Sequence, residues 1–120
     1  MFAAAALGWV AVCRALKVLC VAEDPGSLAA LKRAAVSADW ELTAGAVTEE
    51  EALSQLHEEH PHVVVAFGPF ERLVARALDA YPYLRVVADR DLPGASGVAA
   101  SLEEVRDAVR GRSRPGGPVR

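Results

Sequence analysis

L-K-V-L-C-V-A-E-D-P-G-S, residues 16–27, is an apolar run stopped by a Pro-Gly pair. Leu16 to Ala22 is too short for a helix, carries the β-branched Val18 and Val21, and is broken at Pro25. It therefore reads as a strand buried on both faces, which is the signature of the central strand of a parallel sheet. Glu23 and Asp24 stand at its carboxyl end and Pro25 opens a helix. Two carboxylates are thus placed at the edge where open α/β sheets carry their functional groups.

The residues on either side bound what that strand belongs to. A chain of 120 residues with 52% hydrophobic content supports one domain with a real core and not two. The net charge of -3 and the absence of a basic face within the folded part argue against a nucleic-acid partner. Cys13 and Cys20 have neither metal-knuckle nor disulfide-framework spacing and fit a reducing cytoplasm. Residues 1–14, M-F-A-A-A-A-L-G-W-V-A-V-C-R, form an apolar extension without a charged leading region. Its run falls short of the roughly 20 residues that span a bilayer, so an extra Ala-rich helix, or residues upstream of the true start, is expected rather than a membrane segment. Residues 15–110 make the α/β domain, and 111–120, G-R-S-R-P-G-G-P-V-R, read as a disordered basic tail.

Downstream, the spacing of Leu28, Leu31 and Ala35 predicts a helix to about Ala38, with Asp24 and Ser27 as competent caps. Trp40 to Val47 alternates as an outer strand, and Thr48-Glu49-Glu50-Glu51 is a capping box, which makes its three acids a helix start rather than a site. His57, His60 and His62 stand close together, but Pro61 breaks the helix between the last two, so a solvated helix end is favoured over a metal site. Val63 to Phe67 is the strongest strand signal, bounded by Pro61 and Gly68. Gly68-Pro69 leads into a helix through about Ala80, Leu84 to Ala88 is a fourth strand, and Gly97 to Ala100 a short fifth. Ser101-Leu102-Glu103-Glu104 is a second capping box, opening a helix that runs to Gly111.

Strands alternating with helices, without a hairpin signal, specify an α/β fold with a doubly wound, five-stranded parallel sheet. K-V-L-C-V-A-E-D-P at 17–25, T-E-E-E-A-L at 48–53, H-P-H-V-V-V-A-F at 60–67 and G-A-S-G-V-A-A-S-L-E-E-V at 94–105 resemble the receiver domain of bacterial two-component response regulators. The resemblance implies a flavodoxin-like strand order 2-1-3-4-5. It also implies an acidic pair for magnesium, falling on Ala22 and Glu23, and a phosphoacceptor position, falling on Phe67. The hydroxyl position falls at about Ala88 and the lysine position at Ala100 or Ser101. Acceptor, hydroxyl and lysine are all missing, and with them nearly all stabilisation of a transferred phosphoryl group. Only about eight residues, Asp89 to Ser96, separate the fourth and fifth strands. The helix that receivers place there is reduced or missing, and the N-terminal extension is a candidate to cover the sheet it would leave bare.

The function expected is a non-phosphorylated, receiver-like regulatory module of the cytoplasm acting through protein–protein contact, with an unidentified protein or a second copy as partner. The alternative is a small-molecule or divalent-cation site on the edge formed by Glu23, Asp24, Gly68, Asp89 and Asp91, with the helix start at Pro69 offering backbone amides. No catalytic motif or Cys/His pairing points to an enzyme. No cofactor is implied, magnesium at the acidic edge being the one metal left open.

Overall fold

β1 (Leu16–Val21), β2 (Trp40–Leu42), β3 (Val63–Ala66), β4 (Arg85–Ala88) and β5 (Gly97–Val98) form one parallel sheet in the order β2-β1-β3-β4-β5. This is the flavodoxin-like order, with β3 in the middle and β1 beside it. The computed structural model describes residues 16–111, so the extension expected at 1–14 and the tail beyond Gly111 lie outside the described residues. Between the strands run α1 (Pro25–Ala35), α2 (Glu49–Glu59) and α3 (Glu71–Ala80), and α4 (Val105–Arg110) follows β5.

Side-chain alternation along the strands divides the core in two. Leu19, Val21, Val64, Ala66, Val86 and Ala88 pack with Ala52 and Leu56 of α2 and with Leu73, Val74 and Ala77 of α3. Val18, Cys20, Val63, Val65 and Val87 pack with Leu31 and Ala35 of α1 and with Val105, Ala108 and Val109 of α4. The in-register pairing of Val18–Val21 with Val63–Ala66 keeps this alternation coherent across strands, since a slip of one residue would exchange the two faces.

Helix ends follow the expected chemistry with informative departures. Asp24 caps α1, its Oδ1 accepting from the Ser27 amide at 2.8 Å and its Oδ2 from the Ser27 hydroxyl at 3.1 Å. α1 stops at Ala35 rather than continuing to Ala38 because the Trp40 indole donates to the Ala35 carbonyl at 2.8 Å and Val36 is extended. At α2, Thr48 Oγ1 accepts from the Glu51 amide while Glu51 reaches back to the Val47 amide, one residue earlier than a standard capping box. Glu49 pairs with Arg72 and Arg76 of α3. The three glutamates thus begin a helix and tie it to its neighbour.

Three further elements, β2, β5 and α4, are shorter than the sequence suggests. β2 leaves the ladder after Leu42, because Gln55 takes the Thr43 hydroxyl and both backbone groups of Gly45. The chain rejoins β1 only at Ala46, whose amide donates to the Cys20 carbonyl. β5 ends after Val98 instead of Ala100, since the Ala100 amide is taken by Glu104 and not by the ladder. Ser101 makes no cap bond, so the second capping box is half formed and the chain begins as a 3₁₀ turn over Leu102–Glu104 before α4.

No helix joins β4 to β5. Leu92–Ala95 make a turn closed from the Ala95 amide to the Leu92 carbonyl, and Leu92, only 4% exposed, packs with Ala95 on the β3–β4 face. α4, with six residues, is too short to be stable alone. Arginines anchor it: Arg85 donates to the carbonyls of Val109 and Ala108, and Arg106 to that of Val36. Arg110 pairs with Asp39 and lies over the Trp40 ring at 5.2 Å.

Leu19→Ala, at a fully buried position, is expected to lower unfolding free energy by about 2–5 kcal/mol in a denaturant titration. The second prediction concerns pH. The Ser27 amide, and then its hydroxyl, favour ionised Asp24 and hold its carboxyl below the ordinary aspartate value of 3.8. The cap's contribution is therefore present above that ordinary value and lost as pH falls through the lowered one. Asp24→Ala should lower Tm at pH 7, with the gap to the parent narrowing at strongly acidic pH.

Candidate functional site

At the carboxyl edge of the sheet a cleft of about 280 Å³ is lined by Glu23, Ser27, Ala30, Phe67, Gly68, Asp89, Arg90 and Leu102. Its position follows from topology: residues just beyond β1, β3 and β4 come side by side, continuing a register in which Val21, Ala66 and Ala88 are neighbours. Phe67 extends that pairing, its amide donating to the Val21 carbonyl at 2.9 Å. Three of the edge residues named from the sequence, Glu23, Gly68 and Asp89, meet here together with Phe67. Asp24 and Asp91 do not line the cleft, and Asp24 has both carboxylate oxygens on Ser27.

Gly68 is required where it stands. Its φ is +137°, and a Cβ there would lie 2.9 Å from both Glu23 Cγ and Phe70 Cε2. Backbone and carboxylate stem therefore approach as no larger residue allows. α3 begins just beyond, with Phe70 at its N-cap and no side-chain cap bond. The Pro69 helix start foreseen in the sequence is thus displaced to Glu71.

Arg90 was not foreseen. Its guanidinium forks onto the adjacent Asp89, Nε to Oδ1 at 3.0 Å and Nη2 to Oδ2 at 3.2 Å. This hydrogen bonding, then the charge of Asp89, and more weakly those of Glu23 and Glu71, raise the Arg90 pKa above its ordinary value. Asp89-Arg90-Asp91 reads in sequence as a turn, and only the strand register shows that Arg90 faces an acidic edge. Ser27 and Leu102 were missed for the same reason, being brought in by α1 and by the turn before α4.

The magnesium ion implied by the receiver resemblance can be tested against these donors. Asp89 is clasped by Arg90, Asp24 caps α1, and Ala22 and Phe67 supply no oxygen side chain. Glu23 is left without a second carboxylate, and no group of three or more His, Cys, Asp or Glu among the described residues could hold a metal ion. The residues present do not fit magnesium. Among the histidines, His57 and His60 have ring centroids 6.5 Å apart, while His62 Nδ1 accepts from the Lys17 amide.

Cys20 lies behind this edge on β1, 1% exposed, and burial pushes its thiol up to about 12. In a Cys13→Ser background, Cys20 should stay unmodified by a disulfide reagent at pH 8 in the folded chain and react fully once unfolded.

No family model and no curated protein matches the chain. Solved structures do. The signal receiver domain of an HD domain-containing protein from Pseudomonas fluorescens Pf-5 is 19% identical with a TM-score of 0.68, over 82% of this chain and 94% of that one. A CheY-like response regulator receiver domain protein from Methanospirillum hungatei JF-1 is 14% identical with a TM-score of 0.67, over 82% and 93%. The CheY-like protein tadZ from Pseudomonas aeruginosa PAO1 is 24% identical with a TM-score of 0.57, over 79% and 97%. The five-stranded sheet and its flanking helices are those of the CheY-like receiver fold, here without a helix between β4 and β5.

Proposed function

We propose that the chain is a receiver-like signalling module that is not phosphorylated and works through contact with another protein in the cytoplasm. The observation that carries this reading is Phe67. It follows β3 at the acceptor position implied by the receiver resemblance and lines the cleft with a phenyl ring, which has no oxygen to receive a phosphoryl group. The neighbouring acid, Asp89, has both oxygens engaged by Arg90. Enzyme chemistry is disfavoured as well. Ser27, the one hydroxyl among the lining residues, donates to Asp24, and the lowered pKa makes that carboxylate a poor general base.

The surface suited to a protein partner lies beside the cleft. β5 is a two-residue edge strand; Val98 in it and Leu102, which opens the 3₁₀ turn four residues on, are 36% and 38% exposed. Exposed apolar side chains beside a short strand edge fit a protein contact better than a nucleic acid, and the net charge of -3 agrees. Among the described residues no helix is long and apolar enough to cross a membrane. A second reading, the cleft as a small-molecule site, rests on its concavity and its volume of about 280 Å³, just below the usual range for ligand pockets.

Two measurements on the full chain test this reading. Intact mass after incubation with acetyl phosphate and magnesium should show no added phosphoryl group, and an acid-labile adduct would refute the non-phosphorylated state. A photo-crosslinking residue placed at Val98 or at Leu102 should capture a protein in cells, whereas one at Glu50 should not. Equal capture at all three positions, or none at any, would remove the contact assignment.

A further inference from the structure

We infer that Arg90 is a tethered counter-cation: its guanidinium neutralises the Asp89 carboxylate at the sheet edge and excludes a divalent ion from that edge. The misfit between this edge and magnesium motivates the inference, which stands whether or not the module works through a partner.

The geometry is that of a filled position. Both Asp89 oxygens are taken by a planar two-point fork at 3.0 and 3.2 Å, the arrangement in which arginine matches a carboxylate better than a point charge does. The Asp89 side chain is 21% exposed against 50% for Arg90, so the carboxylate is the more sheltered partner and the guanidinium covers it from the solvent side. Glu23 lines the same cleft, and Glu71 opens the helix that follows Gly68. Arg90 is the one cationic residue among those lining the cleft.

Charge counting gives the same result. Ala22 and Phe67 are neutral, and Asp89 is balanced by Arg90, which leaves Glu23 as the remaining charge among the lining residues. With Arg90 in place the edge offers only the Glu23 charge, and a divalent ion would have to displace the guanidinium from Asp89 before it could use the two carboxylates together. Arginine stays protonated at every physiological pH and cannot diffuse away. The edge is therefore independent of cation concentration. As a contribution to stability a half-exposed pair between chain neighbours is small. What Arg90 sets is the field in the cleft.

The experiment is a titration of the full chain with manganese(II) alone, followed as paramagnetic broadening of assigned amide signals, for the parent, Arg90→Gln and Arg90→Lys. The parent should show no selective broadening at Glu23, Gly68 and Asp89. Arg90→Gln should gain saturable broadening at those three amides with an apparent affinity at least about tenfold tighter, because a unit charge a few Å from a divalent ion is worth that much even at high dielectric. Arg90→Lys, which keeps the charge, should resemble the parent. Selective manganese binding by the parent, no gain in Arg90→Gln, or an equal gain in Arg90→Lys would each overturn the inference. The amide spectra report folding of each variant directly.

Discussion

The domain depends on one constraint: β1 is hydrogen-bonded on both sides and walled in above and below. Val18 to Val21 are at most 1% exposed and alternate strictly between the two halves of the core. Every helix contributing to the core lies on one of the two faces that this alternation defines. Polar substitution in the run would leave an unpaired group in the interior, and a shift in register would turn the apolar set of one face toward the helices of the other. The same register carries Glu23, Gly68 and Asp89 to a common edge, so fold and cleft share one cause.

Much of the architecture was legible because its signals are local. The apolar runs at 16–22 and 63–67, the proline and glycine stops, and the Asp24 and Thr48 caps each act within a few residues. The illegible parts are long-range bonds that override local preference. β2 is cut short by Gln55, from the following helix, and α1 by the Trp40 indole. The half-formed cap at Ser101 shows the opposite case, in which a motif is present but its glutamate is used one residue upstream, at the Ala100 amide.

The site was legible in position and less so in content. A strand ending in Glu23 beside one ending at Phe67 marks the edge, and the resemblance to receivers says which positions to inspect. Whether a carboxylate there is free is a three-dimensional matter. Asp24 reads as part of the edge yet is consumed by its own helix, and Arg90 reads as a turn residue yet sits on the acid beside it. Phe67 puts an uncharged ring in the cleft, and Arg90 neutralises the acid that lines it with Phe67.

The arginine anchors on α4 bear on how the chain acquires its structure. Arg106 reaches the Val36 carbonyl and Arg110 reaches Asp39, partners some 70 residues earlier. Val105, Ala108 and Val109 supply much of the cover over Val63, Val65 and Val87. A nascent chain that has made all five strands therefore still has one side of its sheet partly bare until about residue 110 has been made. Closure of that side is a late, non-local event, and during synthesis the interval before it is when the unfinished sheet is most open to association with other chains.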